Sequence, residues 1–160
     1  MLLLPLLSNS SGCPQTPDRP RREATDTIGL SSRPWMVVAG DVSGDGRDDI
    51  VVVETDAISV WTAGARGFDR AAGSPFSVRG ATGAAAGDLD GDGAADVAVG
   101  PWDGDEVTLL SGRLAVTRKM RMCERPIGLV ISDLDRDGRG ELLATCTNTN
   151  RLAVTTVFPR

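Results

Sequence analysis

The stretch AGDVSGDGRDDIVVV, Ala39 to Val53, sets Asp41, Asp45, Asp48, Asp49 and three glycines directly before an aliphatic run. Like charges at this density repel, by about 1 kcal/mol for a pair 4 Å apart even in bulk water. Neither a plain strand nor a helix accounts for them. The same design returns as AGDLDGDGAADVAVG (Ala86 to Gly100) and as ISDLDRDGRGELLAT (Ile131 to Thr145). Asp41, Asp88 and Asp133 open the three copies at spacings of 47 and 45 residues, the period of a propeller blade and longer than that of leucine-rich or ankyrin units.

Short β-branched and aliphatic runs separated by Gly, Pro, Asp and Ser surround each copy, which is a strand grammar. WMVVAG, DIVVV, AISVWTA and PFSVRG form the first set, and TGAAAG, DVAVG, EVTLLSG and LAVTRKMRM the second. IGLVIS, ELLAT and RLAVTTVF form the third. The expectation is an all-β fold of three β-propeller blades over about 35–80, 81–126 and 127–160. Each blade holds four short antiparallel strands, with the last strand of the third missing.

The loops carry the chemistry. In the second, Asp88, Asp90, Asp92 and Asp96 occupy relative positions 1, 3, 5 and 9, with Gly93 at position 6 and the Ala94 carbonyl at position 7. Alternate carboxylates that converge, with a glycine to turn the chain, make an oxygen cage for a hard cation. Calcium accepts six to eight oxygens in flexible geometry, whereas magnesium demands a tighter octahedron, so calcium is the expected ion. An EF-hand begins in the same way but needs a bidentate Glu at position 12. Val52, Val99 and Ala144 stand there, inside strand-like runs.

The recurring D-x-[DS]-x-D-G-x-x-[DE] followed by an aliphatic strand resembles the FG-GAP and VCBS-type repeats of integrin-like β-propellers, over Trp35 to Phe158. Thr82-Gly83 and Ile127-Gly128 stand where that family has Phe-Gly, and Gly100-Pro101 stands where it has Gly-Ala-Pro. The resemblance implies calcium ligands Asp41, Ser43, Asp45, the Arg47 carbonyl and Asp49 in the first loop. In the third it implies Asp133, Asp135, Asp137, the Arg139 carbonyl and Glu141. Up to three structural calcium ions follow, the outer two weaker because Ser43 replaces a carboxylate, and Arg136 and Glu141 depart from the pattern.

Half of the 22 acidic residues lie at these positions, so the formal charge of −5 says little about partners: three bound divalent cations would reverse its sign. The 160 residues contain no His and no Tyr, which removes the usual general base and every Ser-His or Cys-His nucleophile. No basic cluster with interleaved aromatics points to nucleic acid. Trp35 and Trp61 fall in strand runs and are expected in the core, whereas Trp102 lies in the polar turn GPWDGDE, where exposure and burial are equally open. Lys119 to Arg125 is expected to be a solvated outer strand.

Residues 1–13 resemble a signal segment ending at a candidate lipidated Cys13, and 14–34 have the proline-rich composition of a linker. Cys123 and Cys146 are either a disulfide pair or two buried thiols. The functional expectation is a secreted or lipid-anchored, calcium-stabilised binding or adhesion module for protein or carbohydrate, and not an enzyme. The alternative is a fragment or accessory part of a larger propeller enzyme acting on polysaccharide. Three units are fewer than a closed propeller uses, so two copies meeting end to end, or another chain supplying blades, are the expected partners. Membrane contact is expected only through lipid on Cys13.

Overall fold

The computed structural model describes residues 27–112 and 116–158. These form three antiparallel sheets, with no helix among the described residues. The first sheet runs β1 (Pro34–Gly40), β2 (Asp49–Glu54), β3 (Ala57–Gly64) and β4 (Gly67–Arg70), and the two-residue β5 (Phe76–Ser77) also pairs with β3. The second is β6 (Ala81–Gly87), β7 (Asp96–Pro101), β8 (Glu106–Leu110) and β9 (Val116–Arg121). The third is β10 (Pro126–Ser132), β11 (Glu141–Cys146) and β12 (Arg151–Thr156).

The repeat holds residue by residue. Gly40 pairs with Asp49, Gly87 with Asp96 and Ser132 with Glu141, so each acidic loop closes the same hairpin in the same register. A register shift recurs near the start of each first strand, at Pro34/Met36, Ala81/Gly83 and Pro126/Gly128. The outer strand of the first sheet departs from the sequence reading. It is split, with β4 pairing along Trp61–Gly64 and β5 along Ala57–Ile58 of β3. PFSVRG therefore supplies only the second part of that edge. The exposed GFDR, which lacks apolar alternation, supplies the first.

The sheets stack face to face. Along β7, Val97 and Val99 pack with Val51, Val53, Ile58 and Val60 of the first sheet, while Ala98 turns to Leu129, Leu142 and Ala144 of the third. Alternation thus becomes two-sided burial, with each enclosed valine contributing on the order of 2 kcal/mol. Between the second and third sheets the backbones touch. A Cβ added to Gly83 would lie 2.1 Å from the Ile127 carbonyl oxygen, and one on Gly100 would lie 2.0 Å from that of Pro126. No side chain fits there.

Cys123 and Cys146 form a disulfide, tying the connection after β9 to the end of β11. Glu54 is fully buried at the end of β2. Burial alone would raise its pKa, but hydrogen bonds from the Ser59 hydroxyl and from the Ser32 N–H and hydroxyl hold it below the ordinary value. Trp35 corrects the core expectation. It lies on β1, the edge strand of its sheet, and is 54% exposed; Trp102 is 60% exposed. Trp61 is partly buried beneath the Arg70 guanidinium.

Candidate metal centre

Each acidic loop joins a first strand to a second, and its position-1 carboxylate organises the turn. Asp41 accepts the N–H groups of Gly44, Asp45 and Gly46 at 2.8, 2.9 and 2.7 Å. Asp88 accepts those of Gly91 and Gly93, and Asp133 those of Asp137 and Gly138. The glycines at position 6 have φ of +85°, +87° and +89° at Gly46, Gly93 and Gly138. That left-handed conformation explains the residue type.

The position-9 acid opens the second strand and is buried in every copy, with Asp49 at 0%, Asp96 at 4% and Glu141 at 8% exposure. One oxygen reaches back into its own loop, where Asp49 accepts Ser43 N–H, Asp96 accepts Leu89 N–H and Glu141 accepts Leu134 N–H. In the first two copies the other oxygen reaches across the sheet. It accepts Ala63 N–H at 2.8 Å from Asp49's side and Gly112 N–H at 3.0 Å from Asp96's. These second partners lie 14 and 16 residues away. The sequence reading missed them: Ala63 lies at the end of β3 and Gly112 just beyond β8, and no shared motif marks the two donors.

The ligating oxygens of Asp88, Asp90 and Asp96 lie within 4.8 Å of one another, as do those of Asp133, Asp135 and Glu141. These are positions 1, 3 and 9. In the first loop Ser43 holds position 3, with its hydroxyl 3.5 Å from an Asp41 oxygen, so Asp41 and Asp49 have no third carboxylate. The position-5 acids stand outside both gathered groups. Asp45, Asp92 and Asp137 instead accept the N–H groups of Arg47, Ala94 and Arg139, the three residues whose carbonyls the sequence nominated. A side-chain hydrogen bond from Arg47 also holds Asp45 below the usual carboxylate range.

Neighbouring loops are joined. Ala95 N–H donates to the Asp41 carbonyl at 2.7 Å, and Gly140 N–H donates to the Asp88 carbonyl at 2.7 Å. Asp96 lies beneath this seam. Burial, with Asp90 and Asp92 nearby, pushes its pKa up to about 6 against the pull of the Leu89 and Gly112 N–H groups. A clustered, partly desolvated carboxylate set with only oxygen donors fits a hard divalent cation, which would favour the ionised form against burial and the neighbouring charges. The second and third loops present three carboxylates to such an ion; the first presents two and a hydroxyl.

Three stacked antiparallel sheets joined in sequence, each opened by the same acidic hairpin, define a propeller-type β-repeat protein. Residues 41–99 match the family model of the FG-GAP-like repeat, so the chain carries a repeat of the FG-GAP type. The match runs from the first acidic loop through most of β7, and the third loop repeats the pattern beyond it. No curated protein matches the chain.

Proposed function

We propose that the chain is a calcium-stabilised, propeller-type binding module that acts on a protein or carbohydrate surface and is not itself an enzyme. The convergence of Asp88, Asp90 and buried Asp96 carries this reading. Asp133, Asp135 and Glu141 would hold a second ion, and Asp41, Ser43 and Asp49 a weaker third. The ion supplies charge neutralisation. The chain's own residues close the turn, orient β2, β7 and β11, and exclude water from the position-9 acids.

The Cys123–Cys146 disulfide supports an oxidising compartment, outside the cytosol or at the cell envelope. The candidate signal and Cys13 lie outside the described residues, as does most of the linker. Against catalysis stand the absence of His and Tyr and the use of half the acids in the loops. Asp103, Asp105 and Glu106 do share a cleft of about 520 Å³, but Asp105 is ion-paired to Arg121 at 2.8 Å.

Calorimetric titration of metal-free protein tests the proposal. The expected result is calcium uptake at the second and third loops before the first, with a melting temperature that rises with calcium and falls with chelator. Absence of uptake together with melting indifferent to chelator overturns it.

A further inference from the structure

The stacking that builds the core repeats with the sequence, so each packed position has a counterpart in the next sheet. On the second sheet, Ala85, Ala98, Val107 and Leu109 are all buried, closed in with Leu129, Leu142 and Ala144 of the third. The second and third acidic loops stand 45 residues apart, and that step carries these four positions to Val130, Leu143, Leu152 and Val154. The pairing carries over with it. Ala98 lies opposite Ala85 and Leu109, and Leu143 lies opposite Val130 and Val154. Here the positions are open, with Val130 at 53%, Leu152 at 63% and Val154 at 51% exposure and Leu143 half-buried. Residues opposite one another on paired strands share a face. This face is the one turned away from the second sheet, because the alternate residues Leu129, Leu142 and Ala144 are those that meet it.

The first sheet carries the other half of the same join. Asp133 follows Asp41 by 92 residues, and that step traces Leu129, Leu142 and Ala144 back to Val37, Ile50 and Val52. Val37 lies opposite Val52 as Leu129 lies opposite Ala144. Val51 and Val53 pack on the second sheet, so these alternate residues face away from it. Val37 is 63% exposed and Ile50 half-buried, while Val52 is buried beside them. One end of the row therefore presents an open apolar patch, and the other presents the positions that cover such a patch inside the chain.

We infer that a second copy of this chain closes both ends, the first sheet of each copy stacking on the outer face of the other's third sheet. The new contact continues an interface that the chain already makes twice, between sheets of its own repeat. The unit count leaves a second copy or a different chain as the partner, and the presence of both halves on one chain selects the copy. Thr145 stands where Gly100 lets the second and third backbones touch, so this join has side chains between the sheets, as the first join does with Val53 at that position. Two such joins bring six sheets into one ring, within the range that propellers use. A head-to-tail contact that closes in this way stops at two copies instead of running on as a fibre. The inference goes beyond the proposed binding activity and does not depend on what the loops or the module bind.

Sedimentation of the full-length protein over a range of concentrations tests it, with and without calcium. The expected species is a dimer. Val37→Glu and Leu152→Lys each place an unpaired charge in both joins and should each raise the dissociation constant by about hundredfold or more. Both side chains are already exposed in the single chain, so circular dichroism should match the unsubstituted protein and certify the fold. Mixing the two variants should restore the dimer, because one join then carries neither substitution and the other sets Glu against Lys. A monomer at every concentration overturns the inference. So does a dimer broken by Leu152→Lys but indifferent to Val37→Glu, which would pair third sheet with third sheet, and so does a mixture that stays monomeric. Dimerisation that is unchanged by chelator leaves the inference standing and bears on the metal reading alone.

Discussion

The first and second acidic loops share a register, a glycine turn and a buried position-9 acid, yet their electrostatics differ. In the second loop Asp88 and Asp90 are half-buried, and Asp96 is buried against the Leu89 and Gly112 N–H groups. In the first loop residues 43–48 are all exposed, and Ser43 stands where the second has an acid. The same pattern therefore gives one cage that concentrates unfavourable charge and one that disperses it into water. On the proposed metal reading, affinity for a cation should follow the charge the fold has been made to tolerate, more than the motif.

The largest expected effect is at the position-9 acids. Asp96→Ala orphans the buried N–H groups of Leu89 and Gly112, at about 1–3 kcal/mol each. Denaturant unfolding of metal-free protein should therefore show a loss on the order of 3–5 kcal/mol. Asp49→Ala should cost less, because water can reach the exposed Ser43 N–H. Equal losses would break the comparison.

Next comes Ser43→Asp, which gives the first loop the missing carboxylate. Its calcium affinity should rise by about tenfold, roughly 1.4 kcal/mol, while the metal-free protein loses stability to added repulsion. Titration that shows no gain at the first site would assign its weakness to exposure instead.

The pH response separates the loops further. The folded protein holds the Asp96 proton up to about pH 6, whereas the unfolded chain releases it near 3.8. The folded state thus binds more protons between these values, so this group's contribution to stability falls as pH rises through the window and levels off above it. Melting of metal-free protein at pH 4.5 and 7 should show that loss relative to Asp96→Asn. Saturating calcium should abolish the loss at pH 7.

The smallest effects are at the rims. Asp92→Ala and Ser43→Ala should each cost less than about 1 kcal/mol without metal, since both residues are exposed. With calcium, Asp92→Ala should cost the more of the two in melting temperature. The reverse order would place Ser43 closer to the ion than Asp92.

The fold was legible because Asp41, Asp88 and Asp133 recur at blade spacing and each loop runs straight into an aliphatic strand. What escaped depends on pairing at a distance. Gly67 to Arg70 form a strand because β3 offers them an edge, with no apolar pattern of their own to announce it. Trp35 reads as a core residue by its neighbours, yet Pro34 to Val37 at the start of β1 are all exposed. Spacing put positions 1, 3, 5 and 9 in one cage, and positions 1, 3 and 9 do gather in the second and third loops. That the position-5 acids turn to the position-7 N–H groups, and that Asp49 and Asp96 each hold a third strand, depends on hydrogen bonds that spacing does not encode.

The link between adjacent loops has a consequence for how they fill. The N–H of Ala95 that donates to Asp41 and the carbonyl of Ala94 belong to one amide plane, and the same is true of Gly140 and Arg139 against Asp88. An ion drawing on that carbonyl polarises the amide and strengthens its bond to the preceding loop. If the loops hold the proposed ions, this link would make occupancy a property of a row of neighbours, as in one-dimensional repeat arrays. Titration should then show positive cooperativity between adjacent loops, and independent sites would show that the amide link does not couple them.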